Sequence, residues 1–528
     1  MRKWSRYLAG VVAVMGLCVL AAAAGGETCT LKMKRVDTSS RPDSTGLPAD
    51  YMFRSTYPQS FFKQLGGPDG LVIGPQGGET PAFSEVIKKE PEHASATPFR
   101  GVAQLGSYHY GFVLDAAPPK EKEATKDEAA GKAEKEEGQG SLFSMLSQAL
   151  TGRAAKEAEK PAADAVAYAR LFFDLNHNGD LTDDKVVEAE AARVYGSSSR
   201  STFPVTAVTI DVDGKKVDYA FTFSVYSAAS RSLSYASASL NAAAYREGEI
   251  TLDGKKRRVV LVDFNSNGRF DDAAGIRDDI RTSDGSIYPR MGDMLYIDPQ
   301  PAQGYRNPYD STSSKDQYQV GKLVNYGGRF FDLEIDPSGD RLTLEPSAVP
   351  VGYVTNPNKG YRAVVYGDQG LLDIADDESG KAALPEGRWK LLSYTISRQE
   401  AEPEKADEAG GDDQQKSSLL ETLASVFASA RPTVSRLSTV SARAKADYPA
   451  VAVVRDKTVE MPFGPPYRPL VTAQRSSSDS LSLGMSLVGT GGEVCSNLTV
   501  NGSRPPQPEF TVKTSGGEEV ASGKFSYG

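Results

Sequence analysis

Two short stretches hold the residues best placed to do chemistry. Asp174-Leu-Asn176-His177-Asn178-Gly179-Asp180 and Asp263-Phe-Asn265-Ser-Asn267-Gly268-Arg269 each carry oxygen-bearing side chains at the first, third and fifth positions and a glycine at the sixth. Such spacing wraps a chain around a hard cation such as Ca2+, which takes roughly six to eight oxygens, while the glycine permits the sharp turn. Both stretches follow an apolar run, Leu171-Phe172-Phe173 and Val259-Val260-Leu261-Val262, and both are followed by paired aspartates, Asp183-Asp184 and Asp271-Asp272. Asp180 offers a side chain or a carbonyl at the seventh position and Arg269 only a carbonyl. The asparagines lower the negative charge of each set, which points to weak sites, on the order of 10⁻⁴–10⁻³ M. Asp, Asn and Gly also build plain turns after strands, so ion binding stands against a simple turn.

Other chemistry finds little support. The chain has no Gly-x-Ser-x-Gly elbow, no His-Glu-x-x-His, no Cys-x-x-Cys and no phosphate loop. Of the three histidines, His93 lies in an expected loop, His109 on an expected strand, and His177 between ligand positions, where an exposed side chain is expected. A pair of carboxylates for glycoside hydrolysis stays open among 69 acidic residues, because sequence does not report their separation. The net charge of −9, without a basic stripe, argues against nucleic acid as a partner.

The elements that would position the loops read as strands. Thr209–Val217 and Ile250–Val259 each set an Asp-Gly pair, Asp213-Gly214 and Asp253-Gly254, between strand-like runs, which predicts hairpins. Phe330–Leu344 predicts a third around Pro337 and Gly339. The second hairpin leads directly into the Asp263 loop. Tyr110–Leu114 and Tyr168–Phe173 repeat that plan around the Asp174 loop, with a Lys/Glu/Ala-rich insertion of about residues 116–165 replacing the tight turn. A second insertion of that character occupies residues 399–432, and each ends in an amphipathic stretch, 141–150 and 418–427, predicted to be a short helix.

Arg2, Lys3 and Arg6 before the apolar run Leu8–Leu20, with Ala21–Ala24 after it, predict a secretory signal peptide over residues 1–24. No later stretch has the ~20 apolar residues of a spanning helix. The mature chain is therefore expected to be secreted, periplasmic or in the cell envelope, with an extracellular or envelope protein or glycan as its class of partner. Cys29 and Cys495, one near each end, could form a disulfide or remain thiols, and their spacing does not choose between these.

In an EF-hand the twelfth position is a bidentate glutamate and the loop joins two helices; here that position holds Lys185 or Ala274, and strands lead in. The loops resemble instead the wider group of Asp-x-Asn-x-Asn-Gly calcium loops, dockerin-like and thrombospondin-like ones among them, in which the late acidic ligand shifts. The resemblance implies two calcium sites, with Asp183, Asp184, Asp271 and Asp272 as replacements for that glutamate. Farther on, Tyr361–Gly370 and Leu384-Pro385-Glu386-Gly387-Arg-Trp389, leading to Tyr394, resemble prealbumin-like and carboxypeptidase-regulatory-like sandwiches. Overall the chain is similar to uncharacterised secreted bacterial β-rich proteins. The expected fold is mostly β, in several sandwich-like modules: an N-terminal extension over 25–99, a calcium-loop domain over 100–345, a prealbumin-like module over 346–470 and a C-terminal β segment over 471–528. The expected function is a non-catalytic, calcium-stabilised structural or binding protein, with a secreted hydrolase or a carbohydrate- or protein-binding module as alternatives.

Overall fold

The hairpins expected at the Asp-Gly pairs are present in the computed structural model. Thr206–Val212 pairs antiparallel with Lys215–Ala229, and Ala244–Leu252 with Lys255–Val262. Asp213, Gly214, Asp253 and Gly254 have φ of 52°, 86°, 54° and 70°. Positive φ at both central residues gives the type I′ turn, whose twist matches that of the strands it joins. Arg329–Ile335 and Arg341–Pro346 form the third hairpin. The repeat also has its expected partners, since Tyr108–Ala116 pairs with Tyr168–Phe173.

The structure describes residues 26–36, 53, 55, 57–64, 80–118, 165–229, 234–277, 285–299, 316–399, 437–477 and 480–527. The signal segment, nearly all of both low-complexity insertions and both expected amphipathic helices lie outside these. Its regular structure is almost entirely strand, as expected for a mostly-β protein, with one short helix among the described residues, Phe83–Val86.

Residues 26 to 346 supply four large sheets around one core. Residues 27–64, read from the sequence as an extension, furnish three strands: Glu27–Thr30 pairs with Arg341–Pro346, Lys32–Arg35 with Ala244–Leu252, and Gln59–Gln64 with Ser234–Ala242. The centre is aromatic. Phe112 meets Phe61 and Phe223 at 4.9 Å between ring centres, and Phe173 meets Phe221 at 4.8 Å. Such pairs add roughly 0.5–1.5 kcal/mol each beyond the area they bury.

Residues 351–500 form a second sandwich-like body. A three-stranded sheet containing Val351–Thr355 faces an eight-stranded sheet that runs from Gly370–Ala375 to Arg468–Arg475. Between them lie Trp389, Tyr361, Tyr394 and Phe463. The Trp389 indole N–H donates to the Pro385 carbonyl at 2.8 Å, pinning the Leu-Pro-Glu-Gly turn to the strand it feeds. Leu323 and Phe330 of the first body pack into this second core, and a cavity of about 20 Å³ lies at the junction, room for about one water. Cys29 packs in the first core and Cys495 against the second, both as free thiols. Arg468–Arg475, exposed at every residue, is the last strand of the eight-stranded sheet.

Candidate metal centre

Each loop leaves a strand paired on both sides. Tyr168–Phe173 lies between Tyr108–Ala116 and Val187–Glu188, and Lys255–Val262 between Ala244–Leu252 and Met294–Ile297. The apolar runs bury these strands, so the next residue turns away at the edge of a core. That residue is Asp174 or Asp263, at 1% and 0% exposure.

From there the loops match position by position. Asp174 accepts N–H bonds from Asn178 and Gly179, both at 3.0 Å, and Asp263 accepts them from Asn267 and Gly268 at 3.2 and 2.7 Å. The carboxamide oxygens of Asn176 and Asn265 take the N–H two residues on, and those of Asn178 and Asn267 do likewise. His177 and Ser266 have φ of 56° and 63°, followed by Gly179 and Gly268 at 77° and 79°. The eighth residues, Leu181 and Phe270, are buried and donate N–H bonds to distant carbonyls, Lys89 at 3.0 Å and Pro337 at 3.1 Å. At the tenth position Asp183 receives both asparagine amides, at 3.3 and 2.8 Å, and Asp272 receives its pair at 2.9 and 2.7 Å.

The last match was not legible in the motif. The N–H of Leu175 donates to Asp184 at 3.2 Å, and the N–H of Phe264, at the same position, donates to Asp293 at 2.9 Å. Asp293 is fully buried and directly precedes Met294–Ile297, the strand that pairs back onto Lys255–Val262. Asp184 likewise stands just before Val187–Glu188, which pairs back onto Tyr168–Phe173. Gly292-Asp293 ahead of a short apolar run was the available signal. Tyr219 was also missed: its buried hydroxyl donates to Asp263 at 2.7 Å.

Two of the expected ligands turn elsewhere. Asp180 accepts from the Thr182 hydroxyl and from Lys89, at 2.5 and 2.9 Å, and these partners hold its carboxyl down at about 2. Asp271 pairs with Arg269 at 3.1 Å, and Arg269 also reaches Asp213 in the neighbouring turn at 2.9 Å. Asp174, Asn176, Asn178, Asp183 and Asp184 are thus brought together at one loop, and Asp263, Asn265, Asn267 and Asp272 at the other.

The loops differ in setting. Asn176, Asn178 and Asp183 are exposed, as is His177, which packs near the rings of Tyr108 and Tyr110 at 4.8 and 4.9 Å. The second loop is clasped. The buried Ser266 hydroxyl donates to Ser55 at 3.0 Å and accepts the Ala242 N–H at 2.9 Å, and Gln59 donates to the Ser266 carbonyl at 2.5 Å. Burial, followed by the charge of Asp174, pushes the Asp184 carboxyl up to about 6. Burial, reinforced by Asp272, carries Asp263 to about 7 against the pull of Tyr219 and the Gly268 N–H. Asp293 is driven well above the carboxylate range by burial and then by Asp263 and Asp272.

The side-chain acceptors are all oxygens, which favours Ca2+ or Mg2+ over softer metals. The Asp184 Oδ2 atom is buried and has no hydrogen-bond partner. In the geometry described, the carboxylates are engaged by N–H donors, and among the described residues no three His, Cys, Asp or Glu side chains are arranged to hold a metal by themselves. A cation held here would need the carboxamide oxygens and carbonyls as well. Compared with protein-family models, curated proteins and solved structures, the chain matches none. Among the described residues, no helix is long and apolar enough to cross a membrane.

Proposed function

We propose that this chain is a non-catalytic structural or binding protein of the cell envelope or extracellular space, stabilised by calcium at two loops. The observation that carries the reading is the repeated placement of an aspartate, two asparagines and two later carboxylates around the same backbone turn, once at the surface and once against the core. The basic-then-apolar leader supports export, and millimolar calcium outside cells suits weak sites. At ~1 mM calcium and a Kd of ~0.1 mM, each site stabilises the fold by about 1.4 kcal/mol. Calcium then acts as a staple that need not sense anything.

Thermal melts with calcium and with a chelator test this. The expected result is a melting temperature several degrees higher in calcium, with part of the rise lost in Asp174→Ala and part in Asp263→Asn. A wild-type melt that ignores calcium overturns the reading.

A further inference from the structure

We infer that the outer face of the sheet built from Gln59–Gln64, Ser234–Ala242, Lys215–Ala229, Ser198–Thr202 and Ala191–Tyr195 binds an acidic polysaccharide, one whose sugar rings carry carboxylates. The inference rests on the exported binding protein proposed above, gives it a ligand, and needs no calcium. Directly opposed residues of an antiparallel sheet lie on one face. The register sets five of them in a row: Arg193, Arg200, Tyr226, Ser237 and Phe62. Two residues along, a second row runs from Tyr195 through Ser198 and Ala228 to Tyr235. Four aromatic rings thus share the face with two arginines, and neither row holds an acidic residue.

Two independent observations point from this face to a ligand. Arg193 and Arg200 stand directly opposite each other, both exposed, and among the described residues neither is in an ion pair. Like charges across a strand pair repel. An anion between them relieves the repulsion, and a guanidinium fork matches a carboxylate with two parallel hydrogen bonds. The rings, for their part, are left open to water. Tyr195 and Tyr226 are 59% and 38% exposed. Tyr235 stands between Tyr226 and Phe62, whose ring centres lie 6.0 and 5.5 Å away, and its hydroxyl is bonded to Tyr226. Apolar surface gathered in one place marks a binding site more than single exposed residues do. The inner strands are paired on both sides, so the middle of the face presents side chains and no free backbone groups for an added peptide strand. Sugar rings fit such a face. Their C–H sides lie on the aromatic rings, their hydroxyls meet the tyrosine and Ser237 hydroxyls, and their carboxylates meet the arginines. Tyr195 and Tyr235 stand three strands apart, roughly 14 Å, a span for a chain of sugars and not for one. Stacked rings beside arginines also suit nucleobases; the exported setting favours the polysaccharide, and the test separates the two.

The test uses the full chain in titration calorimetry, with oligogalacturonate, hyaluronate oligosaccharides, neutral dextran and an oligothymidylate as titrants. Chelator is present throughout, which keeps calcium from bridging the carboxylates. Wild type is expected to bind a uronate oligosaccharide. The double variant Arg193→Ala, Arg200→Ala is expected to weaken that binding about tenfold, as loss of charge-assisted hydrogen bonds does, and Tyr195→Ala to weaken it several-fold. Both should melt no lower than wild type, because all three residues are exposed. Arg475→Ala, on a different sheet, is expected to bind as wild type does. Unchanged binding in either folded variant overturns the inference, as does tighter binding of dextran or oligothymidylate. A wild type that binds neither uronate also overturns it, while the calcium melts that test the function proposed above stand or fall by themselves. Should the arginine variant not fold, Tyr195→Ala decides.

Discussion

In the calcium-free protein, stability is expected to fall as pH rises from about 4 to about 7. Asp263 and Asp293 are the main causes. Both are fully buried; burial, reinforced by Asp272, carries the Asp263 carboxyl from 3.8 to about 7, and burial followed by Asp263 and Asp272 drives Asp293 well above the carboxylate range. A carboxyl raised by folding stabilises the native state below its unfolded value, and that contribution is lost as pH climbs through the folded value. A rise of that size is on the order of 4 kcal/mol, and it belongs to the coupled carboxyls together and not to Asp263 alone. Asp184, raised to about 6, acts with the same sign but by less, because it is partly open to water. Urea titrations in chelator at intervals from pH 4 to pH 7 measure this directly. Calcium should remove the decline, since the ion replaces the protons, and Asp263→Asn should shrink it. A chelated protein whose stability is flat or rising over this window would refute the electrostatic account of the second loop.

Two further outcomes follow from packing and from a charge of opposite behaviour. Phe270→Ala is expected to cost about 3–5 kcal/mol in chemical denaturation, because the ring is fully buried between the Arg246 guanidinium, 5.1 Å away, and Gly339, where an added Cβ would lie 2.6 Å from the ring. Asp115 is buried, yet its carboxyl sits below the usual range: burial pushes it up, but the N–H groups of Ala94, Ser95 and Ala116 and the side chain of Arg170 outweigh that. Its contribution is therefore present above the unfolded value and lost as pH falls through the folded one. Asp115→Ala, which strands Arg170, should cost about 3–5 kcal/mol at pH 7 and less as pH falls through that lowered value, measured by the same titrations.

Local turn chemistry made much of this fold readable. Asp213-Gly214 and Asp253-Gly254 announce hairpins because few residues other than Asp, Asn and Gly accept two successive positive φ values. The β-branched run Val259–Val262 of the second copy likewise marks Tyr168–Phe173, its counterpart in the first, as a strand that enters the loop. Pairings between distant segments were not readable. Lys32–Arg35 is four polar or flexible residues without alternation, and only its partner Ala244–Leu252 makes it a strand. The same limit hid Asp293, whose role is set by the strand that follows it. Asp180 and Asp271 show the converse. Their spacing fits a ligand set, but Lys89 and Arg269 offered nearer charges, and only Arg269 was visible nearby in the chain.

The exposed strand Arg468–Arg475 bears on how copies of this protein behave together. An open strand of eight residues with Leu470 and Val471 at 46% and 54% exposure is a template on which another strand can add. Were two copies to meet along it in the antiparallel register that aligns its whole length, Arg468 of each would face Arg475 of the other. Pro469 would offer no N–H to the new ladder. Like charges at both ends and a missing donor near one of them disfavour self-pairing. The edge is therefore built to stay single among its own kind, even where the chain is crowded.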